Sequence, residues 1–308
     1  MKVAVIIPTC NASKLLPEFI SALKRQVPKP DHILFIDSSS SDNTIELIHE
    51  AGYSIKTISR RDFNHGGTRD LATKLVDADI YVFLTQDALL ESSDSISKLI
   101  HPLLSSENVG LVYGRQLPHR DAGLLGSHAR EFNYPAKSVT KSLADIPHSG
   151  IKTCFSSDSF SAYRHIALQQ VDGFPTCVIG TEDAYVAGQM LLNNWMVVYA
   201  SSACVYHSHD YTLLEQFRRY FDIGVFYGRE SWITSAFGGT NGEGLRFVKS
   251  EIRYLLSYQA FYLIPYAIFQ NTVKFIGYRL GKVENRLPLR LKKIISMNHN
   301  FWSQDEKE

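Results

Sequence analysis

The chain has 308 residues, of which 44% are hydrophobic and 20% are charged, and its formal net charge is +1. A chain of this length can bury a substantial core and hold one large α/β domain with an appendage. The composition excludes an intrinsically disordered chain and a membrane protein with many spans.

The first third of the chain alternates predicted strands with predicted helices. Apolar runs rich in strand formers predict strands at residues 3–8, 32–36, 54–58, 80–84 and 109–113. Apolar residues at helical spacing and helix-capping residues predict helices at residues 14–25, 44–51, 68–76 and 95–104. Strands that alternate with helices of this length indicate a doubly wound parallel sheet. Because the first apolar run is too short for a signal peptide and has no cleavage site, we expect it to be the first strand.

Two acids follow strands of this sheet where ligands usually bind. Asp37 ends the second strand and Asp87 follows the fourth, with the Gly-Gly-Thr-Arg turn of residues 66–69 between them. Ligands of an open α/β sheet collect outside the carboxyl ends of its strands, and Mg²⁺ is typically held by one or two carboxylates plus substrate phosphates. Taken singly, each acid is explained as a helix cap and Arg69 as a solvated residue. Together they predict a ligand site in which Asp37 accepts from a pyrimidine imide and Arg69 donates to its carbonyls or to phosphate.

The loop after the first strand narrows the class of ligand. Residues 8–13 read Pro-Thr-Cys-Asn-Ala-Ser and lack the glycine pattern of a dinucleotide fold, and the chain has no P-loop lysine motif. NAD is therefore not expected. The four cysteines lie far apart without a C-x-x-C pair, which argues against a zinc site or a disulfide framework and fits a reducing compartment.

The Glu182-Asp183 pair begins a helix predicted at residues 181–194, after a glycine turn. Acids in the first turn of a helix favour its dipole and can form a capping box. A catalytic role is about as well supported by the sequence alone, and both interpretations stay open at this point.

Two further polar groups follow. His207 and His209 alternate, so on a strand they would face one side, although such pairs are more often solvated. Arg218 and Arg219 lie in a stretch that predicts an amphipathic helix, which explains them almost as well as contact with a diphosphate does.

Residues 245–293 form a basic segment with an uncharged centre. Ten Lys and Arg residues against Glu251 and Glu284 give it a charge of +8, so the rest of the chain carries −7. Residues 255–273 are nineteen positions without a charge, a length that could span a bilayer, but a proline, two glutamines and an asparagine make the span a poor one. Basic flanks and many aromatic residues predict instead a segment that lies at an anionic membrane surface. A buried helical hairpin or a dimer interface is the alternative.

Seven motifs along the chain are more specific together than any one of them. They are Ile-Pro-Thr-Cys-Asn at 7–11, Asp-Ser-Ser-Ser-Ser-Asp-Asn-Thr at 37–44, Phe-Asn-His-Gly-Gly-Thr-Arg at 63–69, Thr-Gln-Asp-Ala at 85–88, Gly-Phe-Pro at 173–175, Gly-Thr-Glu-Asp at 180–183 and Val-Tyr-His-Ser-His at 205–209. With this set, the chain resembles the inverting family-two glycosyltransferases of the GT-A fold over roughly residues 3–230. The resemblance is strongest to their bacterial rhamnosyltransferase branch, to which the string at 63–69 points.

The resemblance implies an α/β fold of the GT-A type, in which helices flank a mixed, mostly parallel sheet. It implies a catalytic domain at residues 1–230, with a nucleotide-sugar half at 1–115 and an acceptor half at 116–230. We expect residues 231–308 to form a basic, aromatic helical region that associates with a membrane.

The resemblance also implies a role for individual residues in nucleotide binding. The residues that it assigns to the nucleotide pocket are Pro8, Thr9, Asn11, Asp37, Arg69 and Gln86. Within this set Asp37 reads the pyrimidine and Arg69 supports the base.

Metal and catalytic residues follow from the same resemblance. Asp87 matches the last acid of the family's D-x-D motif and is expected, with His207, to hold a divalent cation, Mg²⁺ or Mn²⁺. Thr85 replaces the first acid, so the metal site should depend more on substrate phosphates as ligands. Asp183 matches the general base, and Glu182 is expected to position it. Weaker candidates for contacts with donor or acceptor are Asn64, His65, Asp158, His209, Arg218 and Arg219.

Together these implications predict an inverting enzyme that transfers L-rhamnose from dTDP-L-rhamnose to a polyprenyl-linked or polysaccharide acceptor in bacterial surface-glycan synthesis. We expect a cytoplasmic protein, peripheral on the inner face of the membrane and without a nucleic-acid partner. One alternative is transfer from another nucleotide sugar. A second is a sugar-nucleotide nucleotidyltransferase, which would need a Gly-rich first loop with an activating lysine. A third is a degenerate scaffold that only binds, for which Thr85 is the best argument.

Overall fold

A computed structural model describes residues 1–239 and 241–304. In this part of the chain nine strands form one sheet. The strands are β1 (Val3–Thr9), β2 (His32–Asp37), β3 (Ser54–Thr57), β4 (Ile80–Leu84), β5 (Leu89–Leu90), β6 (Val109–Leu117), β7 (Val139–Lys141), β8 (Phe160–Arg164) and β9 (Met196–Tyr206).

Helices flank the sheet and form the C-terminal part of the described chain. They are α1 (Leu16–Lys24), α2 (Thr44–Glu50), α3 (His65–Leu75), α4 (Ser95–Ser105), α5 (Leu124–Asn133), α6 (Ile146–Ser149), α7 (His165–Gln170), α8 (Glu182–Leu192), α9 (Leu213–Arg229), α10 (Ser231–Phe237), α11 (Asn241–Ser257), α12 (Ile264–Gly281), α13 (Leu289–Ile295) and α14 (Phe301–Gln304).

The strand order is β3-β2-β1-β4-β8-β6-β9-β5, with β7 paired to β9. The first four strands are parallel to one another, whereas β8 runs antiparallel to both β4 and β6. The predicted mixed sheet flanked by helices, with C-terminal helices, is confirmed. Because Thr9 pairs with Asp37 in register and Asp87 follows β4, the polar residues predicted to bind ligand lie at one edge of the sheet.

The central strands are buried on both faces, as continuous apolar runs predict. Every residue of β4 is at most 1% exposed. One face packs against α1 and α4 through residues such as Phe19 and Leu99, and the other face packs against α8 and α9. This second core includes Phe221 and also Trp302, which is completely buried. The end of the described chain therefore packs against the predicted catalytic domain, residues 1–230. The domain boundaries stay a prediction, and positions 240 and 305–308 of the region predicted at 231–308 lie outside the described residues.

Helix α3 begins three residues earlier than predicted, so the expected turn at residues 66–69 is wrong. Gly66 and Gly67 lie in the first turn of α3, and the Asn64 side chain caps it by accepting from the Gly67 backbone N at 2.9 Å. A Cβ atom on Gly66 would stand 1.9 Å from the carbonyl oxygen of Pro175. The glycine therefore permits the start of the helix to pack directly against the Gly-Phe-Pro motif.

Four glycines bring α9 and α12 into backbone contact. A Cβ on Gly224, Gly277 or Gly281 would stand 2.1 to 2.5 Å from a carbonyl oxygen of the other helix, and Gly228 lies against the backbone of Lys282, just after α12. No larger residue fits at Gly224, Gly277 or Gly281, so the C-terminal helices are joined tightly to the predicted catalytic domain at residues 1–230.

Helix α12 buries polar side chains and exposes aromatic ones. It buries Gln270 and Lys274, whereas Tyr262 just before it and Phe269 and Phe275 within it are 70%, 54% and 62% exposed. Within residues 1–239 and 241–304, no helix combines the length and hydropathy needed to cross a bilayer.

Candidate active site

The loops after β1 and β2 are held together at the predicted nucleotide pocket. Asp37 is fully buried and accepts from both the backbone N and the hydroxyl of Ser40, at 2.9 and 2.5 Å. Asn11, in the left-handed region with φ of 50°, accepts from the Ser41 backbone N at 2.8 Å. These bonds fix the Asp37 carboxylate at the sheet edge, where it can accept from a ligand.

Gln86 supports the same pocket from the turn after β4. Its carboxamide accepts from the Cys10 backbone N at 2.7 Å and donates to the Cys10 carbonyl oxygen at 3.1 Å. This two-point contact positions the loop that contains Pro8, Thr9 and Asn11. The nucleotide-binding roles of these residues stay predictions.

Arg69 lies at the centre of a buried charge cluster with Asp158 and Glu182. Its Nη1 is 2.8 Å from Glu182 Oε1 and its Nε is 3.2 Å from Asp158 Oδ2, and all three side chains are at most 7% exposed. Burial alone would lower the pKa of Arg69, but the charges of Glu182 and Asp158 raise it. The two ion pairs of Arg69 therefore run to the acceptor half, and its support of the base stays a prediction. Breaking a buried pair from one side typically costs about 3–5 kcal/mol.

Asp158 is further held by hydroxyl groups. Ser161 and Tyr163 donate to its Oδ1 at 2.7 and 2.6 Å. Asp158 thus anchors the arginine to β8, a structural role that the sequence did not suggest for this weaker candidate.

Asp183 stands in the first turn of α8, after a loop with unusual backbone geometry. Thr181, directly before the helix, has a φ of 63°, and Gly180 has a φ of 155°. A threonine in the left-handed region persists only where its surroundings enforce it, and such strain clusters at functional sites. Burial, followed by the neighbouring charges of Glu182 and Asp158, raises the pKa of Asp183 to about 8. A carboxylate whose pKa lies near the working pH is suited to general-base chemistry.

Asp87, His207 and His209 form a group that can hold a metal ion. The Nε2 atoms of His207 and His209 lie 3.5 and 3.4 Å from Asp87 Oδ2 and 3.0 Å from each other. One ligand atom from each residue lies within 4.8 Å of the others. The structure thus places His209, a weaker candidate, beside the two predicted ligands. His209 can thus supply a third metal ligand, whereas Thr85 lacks the carboxylate of the family's motif.

The ring orientation of His207 is set by Gln116. His207 Nδ1 lies 2.9 Å from Gln116 Oε1, which also accepts from Arg130 Nη1. Because the amide oxygen can only accept, Nδ1 carries a proton, which leaves Nε2 as the ring nitrogen that faces Asp87 and can bind a metal ion when it is unprotonated. Burial alone would raise the pKa of Asp87, but the hydrogen bond and charge of His207 hold it well below its usual range. Two imidazoles and an ionised carboxylate fit a divalent cation.

The remaining candidates differ in their contacts. Asn64 caps α3, and His65 follows it with a pKa lowered by burial. Arg219 donates to the Tyr211 hydroxyl at 3.2 Å, and Tyr211 stacks on His209, so Arg219 lies beside the metal-binding group. Arg218 Nε is buried without a hydrogen-bond partner among the described residues.

Sequence reasoning missed Gln116 and Arg130. Gln116 is a polar residue that is 2% exposed, near the end of β6, a strand predicted to end at residue 113. Only the pairing of β6 with β9 brings it to His207, 91 positions later. A polar side chain at the end of a buried strand was the available signal.

Comparison with known proteins relates the whole chain to one family. The model of glycosyl transferase family 2 matches residues 4–172. The O-antigen chain rhamnosyltransferase RfbN of Salmonella typhimurium is 48% identical over 305 residues, which cover 98% of this chain and 96% of RfbN. The O-antigen chain rhamnosyltransferase WbaN of Salmonella anatum is 42% identical over 301 residues, covering 97% of this chain and 95% of WbaN.

Solved structures show the same fold. The mannosyltransferase PcManGT from Pyrobaculum calidifontis, in complex with GDP-Man and Mn²⁺, superposes with a TM-score of 0.65 at 16% identity, over 93% of this chain and 88% of that chain. TarS 1–349 of S. aureus, in complex with UDP-GlcNAc, superposes with a TM-score of 0.53 at 16% identity, over 93% and 92% of the two chains. These are GT-A glycosyltransferases, so the predicted fold is confirmed.

The resemblance seen in the motifs is thus confirmed at the level of the full sequence. The family model covers more than half of the 308 residues, and RfbN and WbaN match over nearly their whole length. This chain therefore belongs to glycosyl transferase family 2.

Proposed function

We propose that this enzyme transfers L-rhamnose from dTDP-L-rhamnose to a growing O-antigen glycan, with inversion at the anomeric carbon. The observation that carries the proposal is the identity of 48% to the rhamnosyltransferase RfbN over 98% of the chain. The site agrees with it, since a metal-binding group and a carboxylate with a raised pKa belong to the same predicted catalytic domain, residues 1–230.

Asp183 acts as the general base. Its carboxylate takes the proton of the acceptor hydroxyl while that oxygen forms a bond to the anomeric carbon of the donor. The bond between this carbon and the diphosphate oxygen breaks at the same time, so the nucleoside diphosphate leaves with the bonding electrons. Attack from the face opposite the leaving group inverts the configuration.

Asp87, His207 and His209 would hold the divalent cation, Mg²⁺ or Mn²⁺. When bound, the cation supplies positive charge to the leaving diphosphate. Gln116 accepts from His207 Nδ1 and thereby orients the ring, so that Nε2 is the nitrogen that would bind the cation. We propose that Arg218, whose buried Nε has no hydrogen-bond partner among the described residues, donates to the diphosphate.

Two sets of residues bind and position the substrates. Asp37 accepts from the imide N–H of thymine, with Asn11 and Gln86 shaping the loop around the base. Glu182 is tied to Arg69 at 2.8 Å and thereby fixes the first turn of α8, from which Asp183 projects.

The acceptor is polyprenyl-linked, and the enzyme works at the cytoplasmic face of the membrane. Exposed aromatic residues on and beside α12 form an apolar face, to which Phe261, Tyr262, Phe269 and Phe275 contribute. The segment 245–293 around it carries +8, and the basic Arg279 is exposed on α12 itself. An apolar face flanked by positive charge suits the interface of an anionic bilayer.

The test is turnover with a panel of nucleotide sugars: dTDP-L-rhamnose, GDP-mannose and UDP-GlcNAc, each with Mn²⁺, with Mg²⁺ and with EDTA. We expect hydrolysis or transfer with dTDP-L-rhamnose at least tenfold faster than with the others. Asp37→Asn should weaken dTDP binding by about 1–3 kcal/mol because a buried partner is lost. Equal use of a purine nucleotide sugar would contradict the proposed donor.

A further inference from the structure

A cavity of about 160 Å³ borders the loop that leads into Glu182. One wall is the start of α3, residues 63–65, and Ile179 forms a second. The third wall is residues 297–301, which lie more than a hundred positions later in the sequence. The cavity is thus built from three distant segments, one of which directly precedes the candidate base.

The third wall, which we call the C-terminal strap (residues 297–301), is firmly held. Asp222 on α9 accepts from the backbone N atoms of Met297 and Asn298 at 2.9 and 3.0 Å and from Asn298 Nδ2 at 3.1 Å. Asn300 Nδ2 donates to the Arg60 carbonyl oxygen at 3.0 Å. Trp302, directly after the strap, is fully buried in the core. These contacts fix the strap to the predicted catalytic domain, residues 1–230.

The cavity is linked to the catalytic loop through side chains. The side chain of Asn298 lies near that of His65 and close to Gly180. Arg69 Nη1 donates to the His65 carbonyl oxygen at 2.9 Å and is 2.8 Å from Glu182 Oε1. One guanidinium nitrogen therefore joins the wall of the cavity to the first turn of α8.

The lining has the chemistry of a site for a neutral sugar. Among the described residues, the lining contains amides, imidazoles and apolar or aromatic side chains but no Lys, Arg, Asp or Glu. Burial lowers the pKa of His65, so that imidazole is neutral at pH 7. The volume equals about five water molecules. It is well below the roughly 300–1,000 Å³ of sites for larger ligands and too small for a nucleotide.

We infer that this cavity is a subsite for part of one neutral pyranose unit and that the C-terminal strap forms its outer wall. The inference rests on the proposed glycosyl transfer. The pyranose is either the sugar of the donor or the terminal sugar of the acceptor. Hydroxyl groups would exchange hydrogen bonds with His65 and Asn300, while Phe63 and Phe301 cover the apolar face of the ring.

The experiment compares two strap variants with a matched control. Asn298→Ala removes a lining side chain that donates to Asp222, and His299→Trp fills the cavity from an exposed position. Ser303→Trp adds the same bulk at an exposed position outside the lining. Calorimetry then measures binding of dTDP and of dTDP-L-rhamnose, and initial rates give the KM of the acceptor.

If the cavity holds the donor sugar, both strap variants should weaken dTDP-L-rhamnose binding about five- to tenfold and leave dTDP binding unchanged. If it holds the acceptor sugar, donor binding should stay normal and the KM of the acceptor should rise by a similar factor. Ser303→Trp should behave as wild type in both assays. Unchanged values in both strap variants would overturn the inference. So would an equal loss of dTDP and dTDP-L-rhamnose binding, which would mean that the strap only supports the nucleotide pocket.

A wrong donor assignment can be told apart from a wrong subsite. If the wild-type enzyme uses GDP-mannose or UDP-GlcNAc instead, the same comparison is made between that nucleotide sugar and its own bare nucleoside diphosphate. The donor proposal then fails, while the strap variants still decide whether the cavity binds a sugar.

Discussion

Asp183 is the residue whose replacement separates catalysis from structure most cleanly. Asp183→Asn keeps the shape and much of the ability to favour the start of α8 but cannot accept a proton. Base catalysis typically contributes about 10²–10⁴-fold, whereas a first-turn carboxylate stabilises a helix by only about 0.3–1 kcal/mol. We therefore expect Asp183→Asn to bind donor normally and to lose at least about a hundredfold in kcat, measured by release of dTDP.

The pH profile supports the same test. The pKa of Asp183 is raised to about 8, and only the deprotonated form can act as a base, so wild-type kcat/KM should increase as the pH rises through about 8. Asp77→Asn is the control, since Asp77 is 89% exposed and lies before β4, at the end of that strand opposite Asp87. Near-normal turnover by Asp183→Asn would assign the base to another residue.

The metal-binding group predicts a preference between cations. Mg²⁺ favours oxygen ligands, whereas a donor set of one carboxylate and two imidazoles suits Mn²⁺ better. We expect Mn²⁺ to support turnover at a lower concentration than Mg²⁺, and His209→Ala to shrink that difference. Titration of activity with each cation in wild type and variant measures both. If wild type and His209→Ala respond alike, the third ligand is not used.

At the level of secondary structure, the adjacent glycines Gly66 and Gly67 of α3 allow two alanine substitutions to be compared directly. A Cβ on Gly66 would stand 1.9 Å from the Pro175 carbonyl oxygen, whereas the nearest atom to a Cβ on Gly67 is 3.6 Å away. Gly66→Ala should therefore destabilise the protein by about 1–3 kcal/mol. Gly67→Ala should be neutral or stabilise by up to about 1 kcal/mol, because alanine favours a helix over glycine. Chemical denaturation measures both, and equal effects would contradict the packing described for the Gly-Phe-Pro motif.

The same helix shows what a sequence can and cannot predict about this fold. Strands buried on both faces are recognisable as apolar runs, so β1, β2 and β4 lie within a residue of their predicted bounds. The start of α3 is mispredicted because Gly-Gly is typical of a turn, whereas Gly66 is required by its contact with Pro175, over a hundred positions away. The antiparallel position of β8 between β4 and β6 follows from tertiary pairing, which no local pattern indicates.

The candidate site likewise contains residues that could be predicted from the sequence and contacts that could not. Asp87 and Asp183 stand at the ends of recognisable elements and could be predicted from position, helped by the family's motifs. The partnership of Arg69 with Asp158 and Glu182 joins three distant segments, and the C-terminal strap reaches the cavity from beyond the family's matched residues. Such contacts depend on how the segments pack together, which the order of residues does not reveal.

For the whole molecule, the exposed aromatic face of α12 predicts binding to anionic vesicles. The variant Phe261→Ser, Phe269→Ser, Phe275→Ser should lose most co-sedimentation with vesicles of anionic lipid, since it removes apolar contact without touching the core. Raised salt should weaken wild-type binding because it screens the basic flanks. These substitutions are preferable to deleting residues 245–308, which would remove the buried Trp302.

A matched control replaces exposed apolar residues elsewhere. Leu75, Leu104 and Ile166 are 46%, 53% and 58% exposed, and their change to serine should leave vesicle binding intact. Unaltered sedimentation of the α12 variant would refute the membrane assignment. A wild-type dimer that dissociates in this variant, seen by analytical ultracentrifugation, would instead make the face an interface between two copies.

The glycine crossing of α9 and α12 has a mechanical consequence. Where backbone touches backbone, no layer of side chains can slide, so the aromatic face of α12 and the arginines near the start of α9 move as one rigid body. If α12 binds lipid as proposed, the distance between Arg218 and the headgroups would be set by the geometry of the two helices. The enzyme would then favour acceptors whose reacting hydroxyl lies at that one distance from the bilayer.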